Sequence, residues 1–225
     1  MTTITEGMHE GEFLGESALG ASFHNDAVTV LSGQNLVAGA VVGSVPAGTS
    51  ASAAKSGGNT GNGTFVLDAT TPILPRCKEG VYTLRCITAA TNGGTFRLED
   101  PDGIVLGDYT ITGGAGGTVT VSEHIKGVLT DAGTDFVAGD GFDITISAKT
   151  EKIVEYNPAG TNGSQIVRGI LLRAVDASSA DAPGVVVSRG PTTVNANDLT
   201  WKSGMTTAQK TTAKAALLAL GIRAL

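Results

Sequence analysis

Apolar and polar positions alternate with a period of two through the middle of the chain. TFVLD (64–68), VYTLRCITA (81–89), GTFRLED (94–100), GIVLGDYTI (103–111), TVTVSE (118–123) and FDITISA (142–148) each read as a strand with one buried face. Between them stand NGG, DPDG, GGAGG and GDG, which supply the positive-φ and Asx-turn residues of hairpins. Short strands at this spacing predict an antiparallel sandwich or small barrel of about 85 residues. Upstream, a strand is expected near Val28–Leu31, a turn at Ser32–Asn35 and a second strand near Ala40–Val45. Downstream of Lys149, a turn-rich loop leads to buried-looking strands over Ile166–Ala174 and Gly184–Arg189. The chain ends in a predicted helix. Thr206 and Gln209 form a capping-box pair, Gly221 marks the stop, and Ala213, Ala216, Leu217 and Leu220 share one face. Trp201, just before that helix, is expected to lock it to the sheet.

Two stretches carry no such pattern. Residues 1–24 mix Phe13, Leu14 and Leu19 with glycines and acids, too little to bury a core alone, and read as an arm. Residues 46–63, PAGTSASAAKSGGNTGNG, read as a Gly/Ser-rich tether. The expected organisation is therefore a flexible arm (1–24), a discontinuous core (25–45 and 150–225), a tether (46–63) and an inserted β domain (64–149).

Composition sharpens this picture. Of 225 residues 32 are glycine, about twice ordinary usage, and only 16% are charged, which excludes a coiled coil. With 41% apolar residues the chain is not a disordered tail. No apolar run reaches membrane-spanning length, and no basic segment precedes an apolar stretch in the manner of a signal peptide. A net charge of −6 argues against nucleic acid as a direct partner. The charge is uneven: no Lys or Arg occurs before Lys55, whereas residues 149–225 carry nine bases against five acids. An acidic leading segment suits a basic partner surface.

The residues offer little catalytic chemistry. His9, His24 and His124 lie at no metal-ligand spacing, and there is no GxSxG elbow or Walker loop. The aspartates Asp100, Asp102, Asp108, Asp131, Asp135, Asp140 and Asp143 are numerous enough to test for calcium. They sit in ordinary hairpin-turn strings, and turns are the expectation. Cys77 and Cys86 are too few for a disulfide framework, although one bridge is open to them. Cys86 shares a strand face with Tyr82 and Leu84, as a small buried hydrophobe would. No catalytic site, metal or cofactor is expected.

Three stretches together resemble the head decoration proteins of phage lambda type. They are EFLGESALGASFHNDAVTVLSGQNLVAGAVVG (12–43), YNPAGTNGSQIVRGILLRAVDASSADAPGVVVSRG (156–190) and VNANDLTWKSGMTTAQKTTAKAALLALGI (194–222). Between the first two, the ordinary family member has a short connection; here roughly 100 residues intervene. The resemblance implies a mainly β fold with a little α. A small β-rich decoration core with a C-terminal helix would carry an inserted antiparallel β-sandwich-like domain projecting outward. It implies no enzyme, but a virion protein on the outside of an expanded phage capsid, assembled in the host cytoplasm. There a homotrimer at local three-fold positions would cement the shell, its arm pairing with the major capsid protein. Within the arm, residue type singles out Phe13, Leu14 and Leu19 as apolar anchors, and Glu10, Glu12 and Glu16 as partners of basic capsid groups. The competing reading is a phage-surface adhesion module whose residues 64–149 bind a glycan or host surface.

Overall fold

The computed structural model describes residues 9–112, 114 and 116–225. Residues 1–8 of the expected arm lie outside them. The chain opens with strand β1 (Leu14–Ser17), a single helical turn α1 (Ala21–His24), and strands β2 (Asn25–Val30), β3 (Gln34–Leu36) and β4 (Val41–Ala54). There follow β5 (Thr64–Leu67), β6 (Gly80–Ala90), β7 (Gly93–Glu99), β8 (Val105–Ile111), β9 (Thr118–Ser122), β10 (Lys126–Thr130) and β11 (Gly141–Glu155). The last stretch is β12 (Val167–Leu171), β13 (Val175–Ala177), β14 (Ala182–Val187), β15 (Thr192–Val194), helix α2 (Thr207–Ala219) and β16 (Ile222–Ala224). The protein is mainly β, as the alternation predicted.

The chain forms two compact units. One ends at Val45 and resumes at Glu151; the other is Pro46–Thr150. The chain passes from one to the other within β4 and returns within β11.

In the discontinuous unit a sheet runs in the order β2-β14-β12-β4 and is buried on both sides. Val41, Ile170 and Val187 join one core cluster with Tyr156, Ala213, Leu217 and Ile222. Their chain neighbours Val42, Leu171 and Val186 join another with Val30, Leu36 and Val175. Successive strand residues face opposite sides, so a doubly buried sheet needs unbroken apolar runs. That is why RGILL and GVVV show no alternation. Helix α2 begins as its cap residues predict. Gln209 N–H donates to Thr206 Oγ1 at 3.3 Å, and Thr206 N–H donates to Gln209 Oε1 at 2.9 Å. Trp201 is half-buried against the same cluster.

The inserted unit is a two-layer sandwich. One layer contains β11, β6, β7 and β8, with Leu84 opposite both Phe142 and Leu98. The other is β5-β10-β9, with Leu129 opposite Phe65 and Val119. Tyr82, Leu84, Phe96, Leu98 and Ile144 from the first layer share one core with Phe65, Val121 and Leu129 from the second. Phe136 closes it edge-on to Phe96, ring centres 5.0 Å apart. Strand β10 has no counterpart among the sequence-predicted strands, because KGVLT is short and carries only two large apolar residues.

Three expectations need correction. Residues 46–54 are not a tether but the second half of β4, neighbour to β11, with Thr49 Oγ1 2.7 Å from Ser147 Oγ. Ladder pairing holds this strand, so its small Ala, Ser and Thr side chains give no apolar signal. The rest of the supposed tether is fastened too. The Asn59 side chain stands in for a strand partner, donating to Gly141 O at 3.0 Å and accepting from Gly141 N–H at 2.8 Å. The inserted unit therefore begins at Pro46 rather than Thr64. Secondly, SGQNL is half turn and half strand, with Gln34–Leu36 pairing antiparallel with β13. Thirdly, residues 9–24 are not loose: they pack on their own unit.

Candidate functional site

The docked arm starts with a tight turn. Leu14 N–H donates to Gly11 O at 2.9 Å, and Gly11 N–H to Leu172 O at 3.1 Å, which ties the turn to the unit. This delivers Phe13 to the core, where it is 0% exposed in the cluster with Val194 and Leu217. Next comes β1, the edge strand of the sheet β1-β15-β16. Leu14 lies opposite Val194 and Ser17 opposite Thr192, with an irregularity between. Thr193 fills it: Glu16 N–H donates to Thr193 Oγ1 at 2.7 Å. All four β1 residues face solvent.

Beyond β1 the chain is held by His24, which is 3% exposed. Leu19 N–H donates to His24 Nε2 at 3.3 Å, while Nδ1 lies 3.0 Å from Arg189 O. A carbonyl only accepts, so Nδ1 carries the proton and the ring is the neutral Nδ1–H tautomer. Arg189 in turn donates from Nε to Phe23 O at 2.7 Å and pairs with Asp26. The Ser188 hydroxyl also donates to Asp26, at 2.6 Å. These hydrogen bonds and the Arg189 charge hold the Asp26 carboxyl below its ordinary value, although burial opposes them.

The predicted contact residues thus divide. Glu10, Glu12, Leu14, Glu16 and Leu19 are exposed along one segment. Phe13 is not, and its assignment as an outward anchor is corrected: it is a core side chain of its own unit. The exposed aromatic is Phe23, at 47%, beside Leu19 at 48%. Sequence reading passed over Phe23, since residue type ranks the two phenylalanines equally and only burial separates them. Next to β1 lies an open groove of about 360 Å³, lined by Glu16, Ala18, Pro191, Leu218 and Arg223 among others.

The remaining candidate chemistry resolves into structure. Asp100 Oδ1 accepts from the N–H groups of Asp102 and Ile104, and Lys78 bridges Asp100 and Asp102 at 2.6 Å. The Lys78 hydrogen bond holds Asp100 below the ordinary carboxylate range. Asp108 pairs with Arg97, Asp143 with Arg85, and Asp135 accepts from Asn92 N–H. Asp140 accepts from the N–H groups of Thr60, Gly61 and Val137. Among the described residues no three acidic, His or Cys side chains group to hold a metal. Cys77 and Cys86 are buried free thiols, each pushed up in pKa by that burial. No helix among the described residues is long and apolar enough to cross a membrane.

The family model of the bacteriophage lambda head decoration protein D matches residues 3–222, across both units. The chain belongs to this family. The family is one of phage head decoration proteins, structural rather than enzymatic. No curated protein matches it. Two crystal structures of FlgL from Xanthomonas campestris show a slight likeness. One is 18% identical over 52% of this chain and 34% of that one, with a TM-score of 0.32. The other is 17% identical over 55% and 33%, with a TM-score of 0.28. The chain spans about a third of the length of either, and the likeness is too low to bear on fold or function.

Proposed function

We propose that this decoration protein binds the outside of the expanded capsid as a trimer at local three-fold positions and cements the shell. Residues 9–24 contact the major capsid protein. The family match over nearly the whole chain carries this reading. Support comes from the arm, an exposed edge strand, the side chains of Leu14, Leu19 and Phe23, and three exposed glutamates in a segment that contains no Lys or Arg. Edge pairing supplies affinity through backbone hydrogen bonds. Three arms on one trimer multiply it by effective concentration.

Co-sedimentation with expanded, undecorated capsids tests this. Saturable binding by the full chain is expected. It weakens for Leu19→Ser, Phe23→Ser and the triple change of Glu10, Glu12 and Glu16 to Gln, and the acidic contribution fades with added salt. Absence of binding by the full chain at every stage of shell maturation would sink the reading. Adhesion through the inserted unit gains no support from its aromatic residues. Phe65, Tyr82, Phe96, Phe136 and Phe142 are buried and Tyr109 half-buried, which leaves no open platform for sugar stacking.

A further inference from the structure

We propose that His24 is a proton-operated latch on the arm segment that bears Leu19. The inference stands on hydrogen-bond geometry; only its purpose, regulating capsid engagement, rests on the function proposed above. The neutral ring uses both nitrogens: Nδ1–H donates to Arg189 O, and the Nε2 lone pair receives Leu19 N–H. Addition of a proton at Nε2 turns this acceptor into a donor and sets two N–H groups against each other. The Leu19 N–H then loses its partner.

Charged groups of both signs stand around the ring. The Arg189 guanidinium, which bonds Phe23 O, adds a like charge close by. Asp26, the acid on the adjoining strand, is already engaged by Arg189 and the Ser188 hydroxyl. Arg168 and Glu151, one of each sign, line the same cavity of about 240 Å³ as Asp26, Ser188 and Arg189. The Phe23 ring packs perpendicular to the His24 ring, centres 5.3 Å apart.

Opening is the inexpensive response, because the segment has few other ties. Ala18 N–H reaches Pro191 O at 3.3 Å, and the Ser17 hydroxyl bonds Leu19 O within the segment itself. Protonation therefore frees Ala18–Gly20 and swings Leu19 away from the unit, while Phe13 and β1 remain anchored. By linkage, a partner that prefers the open segment binds more tightly on the protonated side and takes up a proton on binding.

The test is amide hydrogen exchange on the free full-length chain from about pH 8 to about pH 5, the interval in which an imidazole characteristically changes charge. Exchange is corrected for its intrinsic pH dependence, and the ring nitrogens of His24 are followed by NMR in the same samples. Protection of the Leu19 amide is expected to fall about tenfold or more, with the midpoint of the His24 titration. The Ser188 amide, bonded to His24 O, is expected to hold. A His24→Gln variant, which keeps an acceptor but no proton site, is expected to be flat. Leu19 protection that ignores the His24 titration, or ring shifts showing the Nε2–H tautomer, would overturn the latch in the native chain, whatever the variant does. Capsid co-sedimentation over the same pH range is a separate arm. Failure to bind at every pH overturns the functional reading and leaves the latch standing; pH-flat binding despite an opening latch overturns its regulatory purpose.

Discussion

Gly190 and Gly221 pass back to back, so closely that a Cβ on Gly190 would overlap the Gly221 carbonyl. Gly190 N–H donates to Leu220 O at 2.8 Å at the same crossing. Gly221 also needs the left-handed backbone, with φ of 80°. The end of α2 and the approach to β15 can meet only without side chains. The obstacle is backbone, which cannot rotate aside. Gly190→Ala is therefore expected to destabilise the discontinuous unit by about 3 kcal/mol, read as an earlier denaturant midpoint. An unchanged midpoint would contradict the packing described for this crossing.

The two phenylalanines of the arm are expected to separate stability from binding. Phe13→Ala leaves a cavity in the core and is expected to cost about 3–5 kcal/mol. Phe23→Ser, at an exposed site, is expected to change stability by no more than about 0.5 kcal/mol while weakening capsid co-sedimentation. Equal effects of both on stability would mean that Phe23 is structural.

Asp140 makes the inserted unit acid-sensitive. Burial pushes its carboxyl up, but the N–H groups of Gly61, Thr60 and Val137 outweigh that and hold it below its ordinary value, with Lys55 assisting. A folded value below the unfolded one gives stability that is full above the unfolded value and lost as pH falls through the folded one. Melting of the inserted unit is expected to weaken below about pH 4. Asp140→Asn is expected to be less stable than wild type by about 2 kcal/mol at pH 7, with the gap closing toward pH 3. A gap independent of pH would refute the assignment.

Asp131 lacks such donors. It is 1% exposed, and among the described residues neither side-chain oxygen has a hydrogen-bond partner. It follows β10 on the face of Gly127 and Leu129, both buried, and its N–H continues the ladder to Gly117 O. A buried carboxylate without donors is a burden on the fold. The neutral isostere Asp131→Asn is expected to raise stability at pH 7 by about 1–3 kcal/mol, measured calorimetrically. A loss of stability would show that the carboxylate is satisfied in solution.

These aspartates also show where sequence reading stops. Asp131 and Asp140 sit in one string, DAGTDFVAGDGFD, and nothing local distinguishes a carboxylate that staples Thr60 and Gly61 from one left without donors. Two of the three donors, Thr60 and Gly61, come from more than seventy residues away and reach Asp140 only when the sandwich closes; Val137 alone is local.

By itself, the sequence determined what neighbours along the chain decide. Alternation and turn residues placed most strands of the inserted unit, the Thr206–Gln209 pair placed the start of α2, and three stretches outside the inserted unit carried the resemblance to the family. Each signal lies within a few residues because strand period, turn conformation and helix caps are local steric and hydrogen-bonding effects. Tertiary structure decided the rest. It turned the small-residue stretch after Val45 into a strand by giving it β11 to pair with. It sent Phe13 inward and left Phe23 outside, and it wired His24 between Leu19 and Arg189. Those outcomes depend on partners remote in sequence, which a one-dimensional pattern of apolar and polar residues does not encode.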